Sequence, residues 1–166
     1  MPTKTIRNVR KEDAKAMCEI YNYYVVHTNI SFEEHPVSAD EMEKRIDEKI
    51  HKYPWLVYEE NGKVLGYAYA GKWRDRSAYR YTVEDTIYVK NGEFGKGIGS
   101  ILFEALIGKI RESKEVHTVL GVIALPNDNS IRLHVRYGFE KVAYFKDVGY
   151  KAGHWIDVGT WELLLT

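Results

Sequence analysis

Two adjacent acids, Glu84 and Asp85, sit in a run of β-branched and apolar residues, Thr82-Val83-Glu84-Asp85-Thr86-Ile87-Tyr88-Val89. In a strand, neighbouring side chains point to opposite faces, so the two carboxylates cannot both avoid the interior. One of them is buried or faces a cleft. A partly desolvated carboxylate has a raised pKa, which moves it toward the range a general base needs; the competing role is a structural ion pair. Directly downstream comes Asn91-Gly92-Glu93-Phe94-Gly95-Lys96-Gly97-Ile98-Gly99-Ser100. Its glycines let backbone N–H groups approach a ligand with no Cβ in the way, and a helix opening near Ile98 adds unpaired amides and a positive dipole end. A pyrophosphate beside a base is the chemistry this pairing suggests.

A glycine-rich turn is by itself a common strand-to-helix connection, so its type must be tested. A P-loop places Ser or Thr directly after Gly-Lys, whereas Lys96 is followed by Gly97. A dinucleotide-binding unit places the glycines after the first strand of a parallel array, whereas this strand follows a hairpin. Neither nucleotide site fits. Other residues able to do chemistry are His134, one turn into a later helix, and the cluster Arg74, Arg76 and Tyr79 before the Glu84 strand. Paired arginines grip carboxylates and phosphinates as well as decorating surfaces. Leu125-Pro126-Asn127-Asp128-Asn129-Ser130 ends one strand and opens that helix, with Asp128 or Asn129 suited to cap it.

The elements that must position these groups follow from periodicity. A short strand at 5–9 precedes a helix over about 12–27, with Ala14, Met17, Cys18, Tyr21, Tyr24 and Val25 on one face. A loop over 28–36 exposes Phe32. A second helix starts at Ser38, with Glu41 completing a capping box and Met42, Ile46 and Ile50 on its buried side. Strands at 55–59 and 63–69 form a hairpin closed by Asn61-Gly62. The Glu84 strand comes next, then the helix opening near Ile98, whose buried face is Ile98, Ile101, Leu102, Ala105, Leu106 and Ile110. The chain ends in a strand at 118–124, a helix at about 129–137, and strands near 139–145 and 155–164. This order predicts an α/β fold: one mixed sheet with helices on both faces.

Composition bounds the rest. A chain of 166 residues that is 45% hydrophobic suits one domain spanning 1–166. Lys+Arg and Asp+Glu are both 24, so no global field draws nucleic acid or an anionic membrane, and an anionic ligand must be held locally. The single cysteine, Cys18, falls on an apolar helical stripe and reads as a packing residue. Six scattered histidines give no metal-ligand spacing. With no signal-peptide pattern and no run of 18 apolar residues, the expectation is a cytoplasmic protein.

Taken together, the acid-bearing strand, the Gly95-Lys96-Gly97-Ile98-Gly99 turn, the Asn127 loop and the helix ending Leu133-His134-Val135-Arg136-Tyr137-Gly138-Phe139 resemble the GCN5-related N-acetyltransferase superfamily. The likeness narrows to its phosphinothricin and methionine sulfoximine acetyltransferase-like group through Tyr53-Pro54-Trp55-Leu56-Val57, Gly66-Tyr67-Ala68-Tyr69-Ala70-Gly71 and Gly153-His154-Trp155-Ile156-Asp157-Val158-Gly159, and covers 6–164. The resemblance implies the superfamily's mostly antiparallel mixed sheet and transfer of an acetyl group from acetyl-CoA to the amine of a small amino acid or analogue, without a metal. It implies Glu84 as general base and His134 as proton donor to the departing thiolate. For the cofactor it implies the backbone of Ile87, Tyr88 and Val89 along the pantetheine, Gly95, Lys96, Gly97, Ile98, Gly99 and Ser100 around the pyrophosphate, and Asn127 and Arg136 beside them. For the acceptor it implies Phe32, Arg74, Arg76 and Tyr79, and for the assembly a homodimer. The sequence departs from the group's habits at Phe94, where glutamine or arginine is usual, and at Arg74, where lysine is common. The alternatives are an acetyltransferase for another small amine or a protein amine and, of a different class, a non-catalytic acyl-CoA sensor on the same fold.

Overall fold

A computed structural model describes residues 1–165. Seven strands form one sheet: β1 (Lys4–Asn8), β2 (Trp55–Glu60), β3 (Lys63–Lys72), β4 (Thr82–Val89), β5 (Thr118–Ala124), β6 (Glu140–Lys151) and β7 (His154–Leu164), arranged in the order β1-β2-β3-β4-β5-β7-β6. Four α-helices accompany it: α1 (Ala14–His27), α2 (Ala39–Lys49), α3 (Ile98–Ser113) and α4 (Asp128–Arg136). Every neighbouring pair is antiparallel except β4 with β5. The α/β mixed sheet read from the sequence is therefore the observed one.

Its two faces carry separate cores. Leu102, Phe103, Leu106 and Ile110 of α3 pack with Val83, Val119, Ile123 and Trp161 of the sheet on one face. On the other, Met17, Cys18 and Tyr24 of α1 and Met42 and Ile46 of α2 pack with Trp55, Val57 and Tyr67. Details of the predicted faces differ. Ile101 is exposed, because Phe103 and Ile107 complete the buried stripe of α3. Ile50 is the C-terminal cap of α2 and also exposed. Residues 11–13 form a 3-10 turn ahead of α1 rather than its first turn. Ser38 Oγ accepts the Glu41 amide at 3.1 Å, but the Glu41 carboxylate turns to Arg45 Nε at 3.2 Å, so only half of the capping box forms.

The hairpin between β2 and β3 turns on Asn61 and Gly62, both with positive φ (51° and 76°), as a two-residue turn of the mirror-image type requires. Cys18 is buried and its thiol donates to the Ser38 carbonyl at 3.1 Å, a packing residue as expected. No helix of the described residues is long and apolar enough to cross a membrane.

Candidate active site

The site begins as a fault in the sheet. β4 and β5 are paired only at Thr82↔Thr118, Val83↔Val119 and Glu84↔Leu120. Beyond Glu84 the two parallel strands diverge, while β4 stays paired with β3 as far as Val89↔Gly66. Lys90 N donates to Leu65 O at 2.8 Å, so by the alternation of an antiparallel ladder Ile87 and Val89 turn their amide and carbonyl groups away from β3 and into the gap. An open strand edge of this kind accepts an extended ligand that carries amides of its own. Tyr24 Oη already donates to the Val89 carbonyl, fixing α1 across one end.

A cleft of about 1170 Å³ occupies the gap. It runs from Tyr21, Phe32, Glu33 and Glu84, past Ile87 and Val89, to Gly95, Gly97, Ser100, Asn127, Arg132 and Arg136. Gly95 and Gly97 both hold φ of 79°, in the left-handed region, and Gly97 is the residue on which α3 opens. No atom lies within 4 Å of where a Cβ on either would sit, so the turn presents bare backbone to the cleft. With the dipole end of α3 behind it, this is a cradle for phosphate. Lys96 does not line the cleft; its ammonium pairs with Glu93 at 2.5 Å, and only its backbone belongs to the cradle.

Opposite the cradle, α4 is capped by Asn127, whose Oδ1 accepts the Ser130 amide at 3.2 Å; neither Asp128 nor Asn129 holds the cap position. Arg136 donates to Ser100 Oγ at 3.2 Å and Tyr137 to the Ser100 carbonyl at 3.1 Å, which ties α4 to the first turn of α3. Arg132 lines the same end. Sequence reasoning does not single it out, although its position one helical turn before Arg136 is the signal that finds it.

The adjacent acids separate as alternation requires. Glu84 shares its face with Tyr88, toward α1 and α2, whereas Asp85 shares its face with Ile87 and Val89. Glu84 lines the cleft and is partly buried; desolvation first, and the nearby Asp85 charge second, push its carboxyl up to about 7. Asp85 is 7% exposed and meets His134, itself 2% exposed, with Nε2 at 3.0 and 3.2 Å from the two carboxylate oxygens. His134 Nδ1 lies 2.7 Å from the Ser130 carbonyl. A carbonyl only accepts, and an ionised carboxylate only accepts, so this geometry calls for a proton on both ring nitrogens. Burial alone lowers the His134 pKa, yet the charge and hydrogen bond of Asp85, with the Ser130 carbonyl, outweigh it and the net shift is upward. Gly121 of β5 makes room for the ring: a Cβ there would fall 2.3 Å from His134 Nε2.

The fold also places the remaining residues singled out from sequence. His134 borders the cleft, and its two ring nitrogens stand within hydrogen-bond distance of Asp85 and the Ser130 carbonyl. Arg74, Arg76 and Tyr79 are not brought into the cleft. They lie on the exposed connection between β3 and β4, where the Arg74 guanidinium stands 5.0 Å from the Trp73 ring centroid and 5.6 Å from that of Tyr79. Phe32 does line the cleft, together with Glu33. The described residues contain no group of three or more His, Cys, Asp or Glu side chains able to hold a metal ion.

A diverging parallel pair, a bare glycine cradle at a helix N-terminus and an acid poised near neutrality define a class, and comparison with known proteins agrees. The acetyltransferase (GNAT) domain model matches residues 6–160, so the chain belongs to the GNAT acetyltransferase family. It is 40% identical to a phosphinothricin N-acetyltransferase of Streptomyces viridochromogenes, over 95% of this chain and 85% of that one. It is also 40% identical to an L-methionine sulfoximine/L-methionine sulfone acetyltransferase of Salmonella typhimurium, over 97% of this chain and 94% of that one. Among solved structures, a phosphinothricin acetyltransferase from Sinorhizobium meliloti in complex with acetyl-CoA superposes with a TM-score of 0.93 at 36% identity, covering 98% of this chain and 89% of that one. The chain is an acetyl-CoA-dependent N-acetyltransferase.

Proposed function

We propose that this enzyme acetylates the amine of a small amino acid or close analogue, of the methionine sulfoximine or phosphinothricin type, by direct transfer with Glu84 as the base. The observation that carries the reading is a carboxylate of raised pKa on the wall of a cleft whose far end is a phosphate cradle. Acetyl-CoA supplies the activated acyl group. Gly95 to Ser100 receive its pyrophosphate through backbone amides, Arg132 and Arg136 add charge there, Asn127 contacts it from the next loop, and the free edge of Ile87 to Val89 pairs with its pantetheine amides. The acceptor enters at the other end, between Phe32 and Glu84. An α-amine titrates near about 8, so much of the acceptor arrives as an ammonium that cannot attack. Glu84 takes that proton, directly or through water. The nitrogen lone pair then adds to the thioester carbonyl, collapse of the adduct breaks the C–S bond and releases CoA thiolate, and the proton that the nitrogen must still shed passes through water to that thiolate.

With His134 held by Asp85 and Ser130, its role in this reading is to keep a buried ion pair that fixes α4 against β4, and the thiolate takes its proton from water. Arg74 and Arg76, which do not line the cleft, take no part in holding the acceptor in this reading. A cytoplasmic location, where acetyl-CoA is made, and a homodimer belong to the same proposal.

The test is acetyl-CoA-dependent thiol release across a panel of amino acids, phosphinothricin, methionine sulfoximine and polyamines. Turnover confined to amino-acid analogues, and lost on changing Glu84 to glutamine, is the expected result. Turnover of polyamines alone would overturn the acceptor class.

A further inference from the structure

A surface loop can serve as the wall of a binding site only if something fixes it, and the connection between α1 and α2 is fixed from two sides. From α2, Arg45 grips the Glu33 carboxylate with both terminal guanidinium nitrogens, at 2.9 and 2.6 Å. Tyr21 donates to the same carboxylate and lies 2.8 Å from Ser31 Oγ. The second hold comes from β6. Lys151 is 5% exposed, and its ammonium donates to the carbonyls of Thr28 at 2.9 Å and Ser31 at 2.5 Å. Burying an ammonium against carbonyl oxygens is costly, and what it secures here is the backbone on both sides of Ile30.

Two residues earlier on β6, and so on the same side of the strand, Gly149 supports the ring of Phe32. A Cβ at Gly149 would fall 2.6 Å from both Cε2 and Cζ of that ring. The register of β6 against β7 shifts between Phe145 and Gly149, where Asp147 takes φ of 51° and its amide donates to Asp157 Oδ1 at 2.8 Å. An irregularity of this kind bends a strand and re-aims the side chains beyond it. Neither Lys151 nor Gly149 lines the cleft, but Thr28, Ser31 and Phe32, which they hold, all do.

We infer that Lys151 and Gly149 are positioning residues for acceptor selection: the β6–β7 hairpin holds Phe32 and Ser31 as the acceptor-side wall without touching either substrate. The inference rests on the acceptor entering beside Phe32, as proposed above.

The experiment is steady-state kinetics with L-methionine sulfoximine as acceptor, with acetyl-CoA affinity measured separately by calorimetry. Lys151→Met, which keeps the stem and removes the donors, and Gly149→Ala, which displaces the ring, should each raise the acceptor KM about tenfold, the scale expected when buried carbonyls lose their partner. Acetyl-CoA affinity should stay within about twofold, and either change combined with Phe32→Ala should do no more harm than Phe32→Ala alone, because contacts in one chain of support are not additive. An unchanged acceptor KM, a parallel loss of acetyl-CoA affinity, or strict additivity would overturn the inference. Should Lys151→Met fail to fold, Gly149→Ala decides the question. If Phe32→Ala itself leaves the acceptor KM unchanged, the placement of the acceptor is wrong and the inference falls with it. If Phe32→Ala raises that KM while the two β6 variants do not, only the role of the hairpin is refuted.

Discussion

At the scale of single residues, Glu84 joins activity to a cost in stability. As a base it works only when ionised, so kcat/KM for the acceptor should rise with pH through about 7. Glu84→Gln should lower the rate by about 10² to 10⁴ and remove that inflection, leaving only the slower dependence on free amine. A Glu84→Gln enzyme that retains both rate and inflection would exclude this base. The stability effect has the opposite sign. The folded-state pKa, about 7, lies above the ordinary 4.5, so between those values the native state holds a proton the unfolded state has released, and stability falls as pH rises across that window. The loss amounts to at most about 3 kcal/mol at pH 8. Glu84→Gln should therefore melt higher than the parent at pH 8 and close to it at pH 4; equal melting temperatures at both values would show the carboxylate to be well solvated. His134 follows the same sign. Its raised pKa makes the Asp85 pairing a source of stability that is fully present below the ordinary value of 6.5 and fades as pH climbs through the folded one.

At the scale of elements, the chemistry depends on where regular pairing stops. β4 carries Glu84 at its last paired position with β5 and offers the Ile87 and Val89 backbone just after it, so base and cofactor edge are set by one register. The cradle depends on φ. Placing a side chain at Gly97 costs of order 1–3 kcal/mol of backbone strain, because its φ of 79° opens α3. Gly97→Ala should raise the acetyl-CoA KM severalfold while sparing the acceptor KM; equal loss of both would mean that the turn does more than bind phosphate. Much of this is legible in the sequence. The bounds of β4 and β5 read residue for residue, since β-branched runs and turn residues bracket them, and the glycine turn announces the start of α3. The features that escape a sequence reading depend on long-range packing. Lys151 falls between the last two strands read from the sequence, one more charged residue of a connection, until the fold brings Thr28 and Ser31 over it. His134 reads as a lone histidine until Asp85, 49 positions away, meets it. Asn127 takes the cap from its two neighbours because its own backbone is non-helical there, at φ −156° and ψ 74°, as the residue leading into a helix must be.

At the scale of the whole molecule, the unfinished surface is the β6–β7 hairpin. β6 is an edge of the sheet, and the hairpin exposes Tyr144, Phe145, Val148, Tyr150 and Trp155, each at least half exposed. A long, apolar edge is a hazard that folded proteins usually blunt with charge or cover with another surface. A second copy of this chain is the cover consistent with the proposed homodimer, and a formal net charge of zero sets no field against its approach. Light scattering should give twice the monomer mass of 19.3 kDa. Phe145→Asp with Trp155→Asp should give the monomer, and a parent enzyme monomeric at micromolar concentration would leave the hairpin without this purpose. The same hairpin holds the Phe32 loop through Lys151 and Gly149, so covering its outer side stiffens the support beneath the acceptor wall. The monomeric variant should accordingly bind acetyl-CoA as the parent does but show a raised acceptor KM. If both affinities survive monomerisation, assembly and acceptor selection are separate functions of one hairpin.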